Sequence, residues 1–166
     1  MTSHVGAITA AAILFLAIVI QTSIFGRLTI GGIAPDVVVL AIALLALRTR
    51  PEVLLLASFL AGLVLDALGA DPLGLRALIL TVIAFLAVRT TDRADYSPLA
   101  VAVWAGVITL VAVVLLIVVG SLVGQLSMEF GEIVRRVVLV PILNLALALA
   151  GWPIVTRLLE PARRLV

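Results

Sequence analysis

The sequence has no cysteine, no lysine and a single histidine, and only 12% of its 166 residues are charged. Each shortage removes a class of function. Without cysteine there are no disulfides, thiolate nucleophiles or thiolate metal sites, and the redox compartment stays undecided. The one histidine, His4, lies at the N-terminus, so no imidazole is placed to activate a serine or to build a metal centre. No HExxH, phosphate-binding loop or glycine-rich dinucleotide fingerprint occurs. Eleven arginines against nine acids leave a net charge of +2, too small an excess to mark a nucleic-acid binder.

What fills the chain instead is apolar. Hydrophobic residues make up 64% of it, and the mean hydropathy is +1.39. Soluble domains carry roughly 25% charged residues, so this chain holds more apolar surface than a soluble core of its length can bury. It reads as an all-α polytopic membrane protein forming a single integral-membrane domain over residues 1–166. The leader before Val5 lacks Arg, and the apolar run Val5 to Ile20 exceeds the ~7–15 residues of a signal-peptide core, so it is expected to be a retained span. A bilayer core needs about 20 helical residues, or about 17 in a compact bundle. With charges and prolines as punctuation, six spans follow, at roughly 5–25, 34–47, 52–68, 72–88, 98–123 and 133–156.

The second span is the irregular one. Gly31-Gly32 precede it, Pro35 suits a first helical turn, and Asp36 places negative charge at the positive end of the helix dipole. Fourteen residues from Ala34 to Leu47 reach only about 21 Å, too short to cross alone. Either the Gly-Gly segment completes the crossing in extended form, buried within protein, or the bilayer thins locally. The turn Arg48-Thr49-Arg50-Pro51-Glu52 follows, with Thr49 and Glu52 at capping-box spacing. In the third span Ser58, Gly62 and Asp66 stand at i, i+4 and i+8 and therefore share one face. Gly69 suits a C-terminal cap. Asp71-Pro72 reads as an N-cap and first-turn proline for the fourth span, with Gly74 and Arg76 in that turn. Ser97-Pro98 starts the fifth span. Glu132 and Arg136 stand at i, i+4, where a helix would pair them, in an extramembrane or interfacial turn before the sixth. Pro141 and Asn144 mark a kink and a polar group facing protein, and Trp152 suits the interfacial belt. In the first span Ala7 and Ala11 offer a small-residue face for a neighbouring helix.

Six spans put both termini on one side. Arg48, Arg50, Arg89, Arg93, Arg157, Arg163 and Arg164 fall on that side, against Arg27, Arg76, Arg135 and Arg136 on the other, so the positive-inside rule makes the termini cytoplasmic. The C-terminal arginines suit a membrane-surface anchor on anionic lipid.

Asp36, Asp66 and Asp71 are the acids that need an explanation. A paired-aspartate protease needs two carboxylates facing each other at mid-membrane, whereas these stand near helix ends. Helix starts account for Asp36 and Asp71. Asp66 remains open: it pairs with Arg76, accepts N–H bonds from the Gly69–Leu73 turn, or contacts a partner or ligand.

The segment Pro35-Asp36-Val-Val-Val, Leu47-Arg48, Gly62-Leu-Val-Leu-Asp66 and Pro72-Leu73-Gly74-Leu75-Arg76 resembles the rod shape-determining MreD family. The resemblance covers about residues 34–80, and Arg76 stands where His is common in the family. It implies a non-catalytic, cofactor-free, multi-pass scaffold of the bacterial inner membrane, part of the elongasome that directs side-wall peptidoglycan synthesis and rod cell shape. It implies binding to MreC through that protein's membrane helix and juxtamembrane segment, and through MreC a link to MreB, RodA and a class B penicillin-binding protein. It also implies a fold like the substrate-binding subunit of ECF vitamin transporters, which makes a small-molecule-binding transporter subunit the alternative. Asp66, Gly62, Ser58, Asp36, Asp71, Gly74 and Arg76 are the residues expected to shape or present the partner-binding surface.

Overall fold

The computed structural model describes residues 6–25, 32–69, 72–91, 97–124 and 129–159, with side chains to residue 151. Among these it is all helical: α1 (Ala7–Ser23), α2 (Val37–Ala46), α3 (Pro51–Leu68), α4 (Leu75–Thr91), α5 (Pro98–Leu122) and α6 (Phe130–Leu159). Three stretches are long and apolar enough to cross a membrane: Pro51–Leu68, Pro98–Leu122 and Phe130–Gly151. Asp71, Arg27, Arg93, Arg163 and Arg164 lie outside the described residues, as do the side chains of Trp152 and Arg157.

The shortest helix is the hub. α2 has ten residues, about 15 Å of rise, yet among the described elements it alone touches all five others. Seven of its residues are buried, on every side of the helix, which is why its run from Val37 to Ala46 holds no polar residue. A helix enclosed by protein does not have to match the bilayer thickness. The chain before it is not helical and is sheltered: Ile33 is buried against Val113 of α5 and Val140 of α6, and Pro35 is buried as well. Non-helical backbone at such a place is tolerated because protein groups satisfy it. Of the Gly-Gly segment, Gly31 lies outside the described residues, and Gly32 is exposed at a φ of 81.

Around α2 the helices form two tight pairs, α3 with α4 and α5 with α6, while α1 packs on α2 and α3. The buried cluster draws on all six helices, from Ala10 and Leu14 in α1 to Ala148 in α6. Outward faces carry Phe15, Leu56, Val107 and Ile142 exposed, the surface a helix presents to acyl chains rather than water.

Several boundaries differ from the sequence reading. The second helix starts at Val37, because Asp36 is its N-cap and Pro35 precedes that cap instead of occupying the first turn. The capping box at Thr49 and Glu52 does not form. Arg50 holds the N-cap position with Pro51 as first residue and makes no side-chain cap, so Thr49 stands one residue too early, and its buried hydroxyl has no hydrogen-bond partner. The fourth helix begins at Leu75 rather than Pro72, since Gly74 at φ 99 breaks helical geometry just before it. It continues to Thr91, and the sixth begins at Phe130, so part of the expected interfacial turn is helix. Three local signals hold. Ser97 caps α5 by accepting from the Ala100 N–H, Gly69 is the C-cap of α3, and Glu132 pairs with Arg136 at 2.9 Å.

Candidate functional site

The polar groups of this apolar bundle gather where α2 and α4 begin and α3 ends. The order of events there starts with small residues. Gly62 and Ser58 face α4 and are buried. A Cβ on Gly62 would run into the backbone of α4, meeting Ala77 Cα, standing 2.5 Å from Ala77 N and 2.7 Å from the Arg76 carbonyl carbon. Only glycine lets the two backbones come this close. That approach sets α4's first turn directly beside the last turn of α3, where Asp66 projects.

Asp66 is 2% exposed. One of its carboxylate oxygens accepts from Gly74 N at 2.9 Å and Ala77 N at 3.3 Å, and the other accepts from Arg76 N at 3.1 Å. These are N–H groups at the start of α4, which the helix itself cannot satisfy. Asp66 is thus an N-cap supplied by the neighbouring helix, with its charge at the positive end of the α4 dipole. Backbone acceptance, one of the roles open to it from sequence, is seen one turn later than the Gly69–Leu73 segment, with the Arg76 main-chain N–H among the donors.

The start of α2 is satisfied in parallel. Asp36 Oδ1 accepts from Val39 N at 3.0 Å. Gln21 at the end of α1 spans the preceding turn, its Nε2 donating to the Pro35 carbonyl at 3.1 Å and its Oε1 accepting from Val37 N at 2.8 Å. From α6, Asn144 Nδ2 donates to the Asp36 carbonyl at 2.8 Å and to Thr109 Oγ1 of α5 at 2.9 Å. Thr109 in turn donates to the Ala105 carbonyl. Asn144 and Thr109 are wholly buried, so one amide ties α2, α5 and α6 together. Arg135 Nη2 lies 3.4 Å from where a Cβ on Gly32 would stand, a position whose φ of 81 favours glycine.

Between these two starts lies a cavity of about 30 Å³ whose wall includes Asp36 of α2, Leu65 of α3, Arg76 of α4 and Ala112 of α5. Asp36 and Arg76, separated by the α2–α3 hairpin in sequence, meet at this wall. Asp66, Gly62 and Ser58 serve the α3–α4 joint beside it. Asp71, expected to join them, lies outside the described residues.

Chemically, the arrangement holds backbone. The acids are engaged as helix caps, and no group of three His, Cys, Asp or Glu side chains suited to a metal occurs among the described residues. Ser58 Oγ is buried with no hydrogen-bond partner, so nothing beside it takes its proton. Sequence reasoning missed Gln21 and Thr109 as members of this cluster. The available signals were a glutamine at the end of one apolar run and a lone threonine in the middle of another.

These features identify a membrane-type helical bundle with a structurally committed polar end. No curated protein and no solved structure matches the chain. The family model for rod shape-determining protein MreD matches residues 3–161, nearly the full length. The chain belongs to the MreD family of rod shape-determining proteins.

Proposed function

We propose that this protein acts in rod-shape determination as a non-catalytic scaffold of the inner membrane, binding MreC and thereby supporting side-wall peptidoglycan synthesis by the elongasome. In this reading all six helices form one integral-membrane domain, with both termini cytoplasmic. MreC supplies a membrane helix and its juxtamembrane segment, and links the scaffold to MreB, RodA and a class B penicillin-binding protein.

The observation that carries the reading is how the polar groups are used. Asp36 and Asp66 satisfy helix starts, and Gly62 lets α3 and α4 meet backbone to backbone. A chain that invests its few charges in fixing helix ends is built to hold a shape. The partner-binding role of Asp66, Gly62 and Ser58 is accordingly to set the α3–α4 hairpin, while Asp36, Asp71, Gly74 and Arg76 shape the end that the partner meets. Ala7 and Ala11 are exposed on α1 and give MreC's helix a face for close approach. The transporter-subunit alternative gains nothing from the cavity beside Asp36. At about 30 Å³ it is far below the ~300 Å³ at which ligand pockets begin.

Co-purification with MreC tests the proposal. Gly62→Leu and Asp66→Ala are expected to lose most of the MreC retained by the wild type, and Ala7→Leu with Ala11→Leu to lose it without lowering thermal stability. Unchanged retention in all of them would remove this end and the α1 face from the interaction. The absence of native cysteine makes single-cysteine labelling clean for the topology. Positions 27–36 and 89–97 should label from opposite sides, and labelling from one side sinks the six-span arrangement.

A further inference from the structure

We propose that Arg89, at the end of α4, is the headgroup site of a bound anionic phospholipid whose acyl chain runs along the outward face of that helix. The inference rests on the membrane-domain reading above and adds a ligand to it. Leu78, Val82, Phe85 and Arg89 are all exposed and stand at i, i+4, i+7 and i+11, one line along the helix. Three apolar side chains thus lead to a single cation in the last turn, where the helix dipole favours positive charge.

The cation is held in place but not neutralised. Arg89 Cζ lies 5.1 Å from the centre of the Phe85 ring, within the range of a cation–π contact. That contact engages no hydrogen-bond acceptor, and Arg89 makes no ion pair or hydrogen bond among the described residues. Its fork of N–H donors is therefore open, and phosphate is an acceptor whose geometry fits it in a bidentate way. Beside it Trp104 of α5 donates its indole N–H to Thr90 Oγ1 at 3.0 Å, which fixes α5 against the last turn of α4. The single indole donor is engaged within the protein, so contact with the phosphate falls to Arg89. Val107 and Val111 are exposed at i+3 and i+7 from Trp104 and continue the apolar wall on α5. A zwitterionic headgroup carries its own cation beside the phosphate, which competes with Arg89, whereas phosphatidylglycerol does not. One arginine at an anionic surface corresponds to a preference of about five-fold.

Trp104 reads the site. The chain has two tryptophans, so Trp152→Phe leaves Trp104 as the sole one. With the full chain in vesicles, its quenching by brominated phosphatidylglycerol is compared with quenching by brominated phosphatidylcholine at equal mole fraction. Phosphatidylglycerol should be preferred about five-fold, falling to about equal affinity in Arg89→Gln and weakening in Phe85→Leu. Arg50→Gln removes another exposed arginine from the same end of the α3–α4 hairpin, the N-cap of α3, and should leave the preference intact. Equal quenching by the two lipids overturns the site, as does a preference that survives Arg89→Gln. A preference lost equally in Arg50→Gln also overturns it, since diffuse surface attraction then suffices. Quenching by neither lipid removes lipid from this face altogether and counts against the membrane-domain reading, which labelling of positions 89–97 tests separately.

Discussion

Replacing Gly62 with alanine probes the joint on which the polar end depends, and helix propensity and packing predict opposite signs for it. Alanine is favoured over glycine inside a helix by about 1 kcal/mol, so an isolated α3 gains. In the folded protein the new methyl stands 2.5 Å from Ala77 N and 2.7 Å from the Arg76 carbonyl carbon. Those atoms are backbone and cannot rotate away, so α3 and α4 must separate. Overpacking of this kind costs about 1–3 kcal/mol. Separation also lengthens the bonds from Asp66 to Gly74, Arg76 and Ala77, the longest of which is already 3.3 Å. Hydrogen bonds to a charged group contribute about 1.5–3 kcal/mol each, so weakening one adds a comparable loss. After the propensity gain, a net loss of about 2–4 kcal/mol remains. At about 2–4 °C per kcal/mol for a chain of this size, the unfolding temperature in detergent should fall by about 5–15 °C. An unchanged or raised value would refute the backbone-to-backbone approach.

Other substitutions follow from the same contacts. Asp66→Asn keeps one acceptor oxygen for three N–H groups and should cost about 1–3 kcal/mol, with Asp66→Ala costing more; equal stability of all three proteins in thermal unfolding would contradict the capping role. A double-mutant cycle with Asn144→Leu and Thr109→Val should give a coupling of about 0.6–1.7 kcal/mol, between the average and the maximum found for hydrogen bonds between membrane helices, and zero coupling would remove the α5–α6 tie. Thr49→Val replaces a buried hydroxyl that has no partner with a methyl of similar size, so stability should hold or rise; a loss above about 1 kcal/mol in the same unfolding assay would restore a capping role for Thr49. Arg136→Ala removes an exposed pair with Glu132 and should cost no more than about 0.5 kcal/mol by the same measurement.

Local patterns in the sequence carried as far as the physics they encode. The i, i+4, i+8 spacing of Ser58, Gly62 and Asp66 placed them on one buried face, because helical periodicity needs no knowledge of the partner. Ser97 before Pro98 located a helix start for the same reason. The Asp66 carboxylate was harder to assign, since the N–H groups it satisfies belong to a helix that begins only after the turn at Gly74. Moving that start from Pro72 to Leu75 carried the acceptor role beyond the expected segment. The capping-box spacing at Thr49 misled because Pro51 fixes the first helical residue and makes Arg50 the cap. Asn144 was legible as polar and protein-facing, but its bond to the Asp36 carbonyl spans 108 residues and has no local signature. The same holds for the central position of α2. Its shortness was visible, yet only the packing of five other helices around it explains why a helix of ten residues suffices.

Cell shape measures the central claim most directly. In a rod-shaped bacterium depleted of its own family member, this protein should restore rods. Gly62→Leu, present in the membrane at the wild-type level, should leave the cells rounded. Rods maintained by Gly62→Leu at equal abundance would contradict a scaffold whose function rests on the α3–α4 joint.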